Sequence, residues 1–182
     1  MKVLGISGSL RSGSHNSRLL RAAAALLPPG AELVEYDGLK DIPPYDEDDE
    51  AIGHEAVDAL RAAIAEADAV LVATPEYNHS LPGQLKNALD WISRPLADSP
   101  LRNKPAAVIG ASTGLFGAVW AQAEGRKVLG ALGARVIDRE LPVTQAHEAF
   151  DGDRLADPEL VYALAALLDE LCEAQAALPV AA

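Results

Sequence analysis

The sequence predicts a three-layer α/β sandwich, a parallel sheet covered by helices on both faces. Three observations carry this. Short apolar runs alternate along the chain with longer stretches whose apolar positions recur at three and four residues. The short runs are apolar nearly throughout, as strands buried on both faces must be. A helical stretch separates successive strands, which implies parallel pairing through right-handed crossovers.

The elements follow in order. "KVLGIS" (2–7) is a buried strand, and "SRLLRAAAALL" (17–27) is an Ala- and Leu-rich helix stopped by Pro28 and Pro29. "AELVEY" (31–36) is the second strand. An acidic loop containing "DIPPYDEDDE" leads to the helix "HEAVDALRAAIAEA" (54–67). "DAVLVAT" (68–74) is the third strand and "GQLKNALDWI" (83–92) the third helix. "AAVIGAS" (106–112) is the fourth strand, and "AVWAQAEGRKVLGAL" (118–132) and "ARVID" (134–138) are the next helix and strand. A last helix, 158–176, puts Leu160, Leu164, Leu167, Leu168 and Leu171 on one face. No repeat or second domain is apparent, so residues 1–182 read as one domain.

Composition narrows the function. The chain is 49% hydrophobic and 23% charged, a globular balance, with no apolar run long enough to span a bilayer. "MKVLGIS" passes into Gly and Ser too quickly for a secretory leader, and the single cysteine, Cys172, cannot form an internal disulfide. A cytoplasmic protein is expected. The net charge of −12 argues against nucleic acid as a partner. The charge is unevenly spread: residues 1–31 hold Lys2, Arg11, Arg18 and Arg21 and no acid, whereas residues 32–60 hold eleven acids and one base, Lys40. That distribution suits an anion near the N-terminus, with chance fluctuation as the plain alternative.

In open parallel sheets ligands bind beyond the carboxyl ends of the strands. Here those places are the loops after residues 7, 74 and 112. In "GSLRSGSHNSRLL" (8–20), Gly8 permits a tight turn, Ser9, Ser14 and Ser17 offer hydroxyls, Asn16 can cap the following helix, and Arg11 supplies a fork of donors. A phosphate cradle and a capped surface turn both fit these residue types; position after the first strand favours the cradle. The glycine spacing matches neither G-x-G-x-x-G nor G-x-x-x-x-G-K-[ST], and this loop has no cysteine to act as a nucleophile, Cys172 lying near the other end of the chain, which leaves a monophosphate held without metal. In "TPEYNHSLPG" (74–83), Pro75 and Pro82 stiffen the ends, Tyr77 offers an aromatic face, and the N–H groups of Glu76, Tyr77 and Asn78 can meet a planar heterocycle. A purely architectural loop is the alternative. His15, His54, His79 and His147 lack metal-ligand spacing, and "DEDDE" (46–50) lacks the glycine and ligand spacing of a calcium loop. Cys172, four residues after Leu168, reads as packed rather than reactive.

"GSLRSGSHNSRLL", "TPEYNHSLPGQLKNALDWISRP" and "GASTGLFGAVWAQ" resemble the three signature stretches of the NADPH-dependent FMN reductase family, flavodoxin-like proteins that include quinone, azo-dye and chromate reductases. The resemblance runs from about residue 2 to about residue 140. It implies a flavodoxin-like fold, a five-stranded parallel sheet in the order 2-1-3-4-5 with FMN at its edge. Ser9, Arg11, Ser14, Asn16 and Ser17 would hold the phosphate; Pro75, Glu76, Tyr77 and Asn78 would line the isoalloxazine; Ser112, Thr113 and Gly114 would meet its far edge. It also implies NADPH or NADH as co-substrate, a small-molecule electron acceptor, and a homodimer or homotetramer that completes the pocket, with Trp91 and Trp120 as interface anchors or core residues.

One stretch departs from the family pattern. Many relatives have paired glycines and an arginine before "AQ", where this chain has Ala118 and Trp120. Phe116 and Trp120, four apart, can stack on one helical face. The nicotinamide preference is left open by this change. The flavin would carry hydride through its N5 to a quinone, azo compound, metal oxyanion or free flavin. Asn78, His79 and Ser112 are the polar groups near the ring, and no residue is assigned a catalytic role in the narrow sense. A flavodoxin-like electron carrier and a non-catalytic regulator are the competing expectations.

Overall fold

The computed structural model describes residues 1–177. Five parallel strands run in the order β2-β1-β3-β4-β5, with β1 at Lys2–Ser7, β2 at Glu32–Tyr36, β3 at Ala69–Thr74, β4 at Pro105–Ala111 and β5 at Arg135–Val136. The helices are α1 (His15–Ala24), α2 (Glu55–Glu66), α3 (Gly83–Ile92), α4 (Val119–Ala131) and α5 (Pro158–Ala176). Short 3₁₀ turns at Gly38–Asp41 and Glu47–Ala51 organise the acidic loop, which places "DEDDE" on a solvated turn.

The two-residue period of the strands divides the core. Leu4, Ile6, Val70, Val72, Ala106 and Val108 face the side covered by α2, α3 and α4. Val3, Ala69, Leu71, Ala73, Ala107 and Ile109 face the side covered by α1 and α5. Leu164, Leu167, Leu168 and Leu171 of α5 are buried there as their spacing predicts. Half-buried Cys172 lies on the same helix, and burial pushes its thiol up from the ordinary value.

Several details differ from the expected elements. Helix α1 begins two residues earlier, at His15, because Ser14 caps it: the Ser14 Oγ accepts from the N–H groups of Asn16 (3.1 Å) and Ser17 (3.2 Å). Helix α1 also ends at Ala24, before the prolines. The fifth strand is split. After β5 the chain leaves the sheet, and β6 (Pro142–Val143) rejoins β4 in parallel at Gly110 and Ala111. Finally, an unexpected hairpin, β7 (Phe150–Asp151) with β8 (Arg154–Leu155), packs against α1. The local polarity of "FDGDRL" hid it in sequence.

Helix α4 starts one residue late, at Val119, after Gly117 and Ala118 in left-handed backbone (φ 56° and 61°). A Cβ on Gly117 would lie 2.4 Å from the Pro142 carbonyl carbon, so only glycine fits there. The left-handed turn re-aims the chain from the end of β4 into α4, which puts the third loop beside the first two.

Candidate functional site

The loops after β1, β3 and β4 meet at the carboxyl edge of the sheet. They enclose a cleft of about 290 Å³ lined by Ser9, Arg11, His15, Asn16, Pro75, Glu76, Tyr77, Ala111, Ser112 and Thr113. The volume lies close to the lower end of the range for small-molecule sites, roughly 300–1,000 Å³.

In the first loop the capping role assigned to Asn16 belongs to Ser14. Asn16 lies inside α1, is 2% exposed, and its side-chain amide donates to the Ala111 carbonyl (3.0 Å) while its Oδ1 accepts from the Ala111 N–H (2.9 Å). It ties the first loop to the third, and Ser14 and Asn16 are both spent on structure. Ser17 donates its hydroxyl to the Ser7 Oγ at 3.0 Å, and the same oxygen lies 3.4 Å from the Ser9 N–H. Ser7, the last residue of β1, was not singled out by sequence because it reads as strand. The main-chain N–H groups of residues 10–15 donate to no protein acceptor among the described residues. Such a run of open donors at a helix N-terminus suits an anion.

The basic N-terminal residues separate once folded. Lys2 pairs with Glu66 at 3.2 Å; Arg18 and Arg21 pair with Asp153 at 3.9 and 3.0 Å, and Arg21 also lies 4.0 Å from Glu35. Arg11 alone of the four has no acidic partner among the described residues, and it lines the cleft. The charge asymmetry read from sequence therefore reduces to one available guanidinium.

The second loop is tighter than its sequence suggests. Tyr77 and Ser80 exchange main-chain hydrogen bonds, both 3.1 Å, around Asn78 and His79 at φ 53° and 60°. This is the two-residue hairpin geometry with positive φ at both central positions. The Tyr77 N–H is thus used internally, which corrects the expectation of three free donors; those of Glu76 and Asn78 have no protein acceptor among the described residues. Asn78 stands exposed on the turn and does not line the cleft.

The Glu76 side chain points elsewhere than expected. Its Oε2 accepts from the N–H groups of Trp120 (3.0 Å) and Ala121 (3.2 Å), capping α4, where Ala118 offers no side-chain oxygen. Its Oε1 lies 3.6 Å from His79 Nδ1. Glu124 of α4 completes the clamp: its carboxylate accepts from the Ser80 hydroxyl and the Leu81 N–H, and these bonds hold its carboxyl below the ordinary value. Buried Gln122 donates to the carbonyls of Gly117 (2.8 Å) and Leu141 (3.2 Å) and accepts from the Leu141 N–H (2.9 Å). Gln122 and Glu124 were missed in sequence because a polar residue on an amphipathic helix reads as solvated surface.

In the third loop the Ser112 Oγ accepts from the Gly114 N–H at 3.1 Å. Ser112 and Thr113 line the cleft and Gly114 lies outside it. An exposed aromatic cluster adjoins the rim. Trp120 meets Phe116 (5.0 Å, 60°) and His79 (4.7 Å, 89°), and Leu115 is 73% exposed beside them. Phe116 precedes α4 instead of sharing a helical face with Trp120, yet the two rings touch. Trp91, in contrast, is core: it is 4% exposed and its indole N–H donates to the Pro43 carbonyl at 2.8 Å.

The donor set fits a phosphate ester with a flat head. Open main-chain donors, Arg11 and Ser9 gather at one end of the cleft lining, and Pro75, Tyr77 and Ala111 supply apolar surface. His15, which sequence treated only as a non-ligand for metals, also lines it. Its Nδ1 is shielded from solvent with no hydrogen-bond partner. Burial, with Arg11, Arg18 and His147 nearby, holds its imidazole below the ordinary histidine value.

Residues 1–148 match the family described as NADPH-dependent FMN reductase. The chain is 49% identical over 160 residues to an NAD(P)H-dependent FMN reductase of Pseudomonas aeruginosa, covering 86% of this chain and 85% of the relative. It is 40% identical over 141 residues to a quinone reductase of Escherichia coli, covering 76% and 74%. Among solved structures, FerB, a flavoenzyme NAD(P)H:(acceptor) oxidoreductase from Paracoccus denitrificans, superposes with a TM-score of 0.84 at 34% identity, covering 96% of this chain and 97% of that one. The β2-β1-β3-β4-β5 sheet with helices on both faces is the flavodoxin-like order.

Proposed function

The chain belongs to the NADPH-dependent FMN reductase family, and from that premise we propose that it is an FMN-dependent NAD(P)H oxidoreductase that reduces small acceptors such as quinones. The observation that carries this is the convergence of the three strand-to-helix loops on one cleft, whose first loop holds N–H donors and an Arg11 without protein partners among the described residues. FMN, when bound, supplies the two-electron chemistry, taking hydride from a nicotinamide and passing electrons to the acceptor. The protein's share is to bind, orient and shield.

Arg11, Ser9 and the N–H groups of residues 10–15 hold the phosphate. Pro75 and Tyr77 give the ring its apolar wall, with the Glu76 and Asn78 N–H groups as candidate donors to its polar edge; Ser112 and Thr113 border its far side, and Gly114, outside the cleft, holds Ser112 by its N–H. Ser14, Asn16 and Ser17 serve the site at one remove, by fixing the loop through Ser7 and Ala111. No acid, base or nucleophile of the chain is needed for hydride transfer.

The assembly is read as a homodimer or homotetramer, and residues 1–182 as one domain. Tyr77, Leu115, Phe116 and Trp120 expose 41–73% of their surfaces beside the cleft, a patch suited to a second copy. No helix of the described residues is long and apolar enough to cross a membrane, and with a single cysteine the cytoplasm is the compartment proposed. The relatives reported above are named as reductases or oxidoreductases, which leaves the electron-carrier reading without support.

The test is anaerobic mixing of the FMN-loaded protein with NADPH and with NADH, followed at the flavin absorption band. Bleaching with either nucleotide and recovery on adding a quinone are expected. A flavin band unmoved by both nucleotides would refute the reductase reading.

A further inference from the structure

We propose, resting on the FMN reading above, that His15 is a third contact for the phosphate ester and makes cofactor affinity depend on pH. His15 is the first residue of α1 and shares the cleft lining with Ser9, Arg11, Ser112 and Thr113. Its Nδ1 is enclosed and has no hydrogen-bond partner among the described residues, which leaves the ring with an unmet polar group in the free protein.

The ring is held in place by the unforeseen hairpin. Its plane lies within 10° of the Phe150 ring at 6.3 Å between centroids. On Phe150 rests the Arg18 guanidinium, 4.9 Å from the ring centroid. Arg18 in turn donates to the Gly152 carbonyl and lies 3.9 Å from Asp153. The hairpin β7–β8 thus fixes the imidazole beside the open N–H groups.

The charges facing His15 are Arg11 from the first loop, Arg18 from its own helix and His147 from the segment after β6. The acids nearby, Asp153 and Glu148, are paired with Arg18 and with His147 (3.5 Å), and neither ion-pairs with His15. A cationic ring therefore lacks a counter-charge among the described residues, and a phosphate dianion brings one. Binding then draws up to one proton from solvent onto the imidazole, which forms an N–H bond at the ring and leaves the ester itself unchanged. Affinity is greatest below the free-state value of the ring and declines as pH rises through its raised value in the complex.

The test is an FMN fluorescence titration of the wild type and of His15→Phe, which keeps a ring against Phe150, at about pH 6 and about pH 8.5. The second ionisation of FMN itself, near pH 6, is common to both proteins. The loss of affinity between the two pH values should be larger in the wild type than in the variant, by a factor that approaches about tenfold for one pKa unit of coupling as the lower pH falls below the free-state value of the ring. Riboflavin, which lacks the phosphate, should show no such difference. As a second measurement, the His15 imidazole of the wild type, followed by NMR, should titrate higher with FMN bound. Equal pH dependence in both proteins, the same difference with riboflavin, or an unmoved imidazole would overturn the proposal. A wild type that binds no FMN at either pH would instead refute the reading on which it rests.

Discussion

Asn16 and Ala111, separated by 95 residues in sequence, exchange two hydrogen bonds through the Asn16 side chain, 3.0 and 2.9 Å long. One buried amide thereby joins the start of α1 to the end of β4. Asn16→Ala leaves the Ala111 N–H and carbonyl without that partner inside the protein. Each such group costs roughly 1–3 kcal/mol, so a loss of about 2–6 kcal/mol is expected in urea unfolding. An unchanged midpoint would show that the pair is replaceable by water.

Arg11 presents the opposite case. It is exposed, pairs with no acid among the described residues, and lines the cleft. Arg11→Ala should leave thermal stability within about 0.5 kcal/mol of the wild type. It should weaken FMN binding by about tenfold to a hundredfold, the worth of a hydrogen bond to a charged group. Flavin fluorescence titration beside a thermal melt reads both effects; equal FMN affinity would remove Arg11 from the site.

Glu124 gives the loop after β3 a dependence on acid. Its carboxyl is held below the ordinary glutamate value, first by the Ser80 hydroxyl and then by the Leu81 N–H. A depressed carboxyl contributes stability that is present above its unfolded value and is lost as pH falls through the folded one. Unfolding midpoints measured from neutral pH down to about pH 3 should therefore drop more steeply in the wild type than in Glu124→Gln. Parallel profiles would assign acid sensitivity to other carboxylates.

Trp120 tests the quaternary proposal. With 41% of its surface exposed, Trp120→Lys should fold normally and yet lower the sedimentation coefficient toward that of a single chain. A variant that sediments with the wild type would place the subunit contact elsewhere.

The layers were legible because periodicity and burial report the same physics. Strands buried on both faces have to be apolar throughout, and α5 shows its leucine stripe because one side packs on β3 and β4, the strands of Leu71 and Ile109. The three loops were legible because parallel topology leaves few places for a ligand. What resisted reading was the use of polar atoms over long sequence distances. Nothing local distinguishes an Asn that caps its own helix from Asn16, which reaches Ala111. Nothing in "TPEYNHS" tells that the Glu76 carboxylate serves another helix, or that the Tyr77 N–H closes a turn on Ser80. The hairpin at 150–155 was equally hidden, because two-residue strands carry almost no pattern.

Glu76 has a consequence of its own. The backbone of this residue borders the cleft, and its carboxylate grips the first turn of the helix that carries Trp120. One side chain therefore connects the helix that carries the tryptophan to the cleft lining. A second copy seated on Trp120 would then bear, through the first turn of α4, on a residue that belongs to the cleft lining.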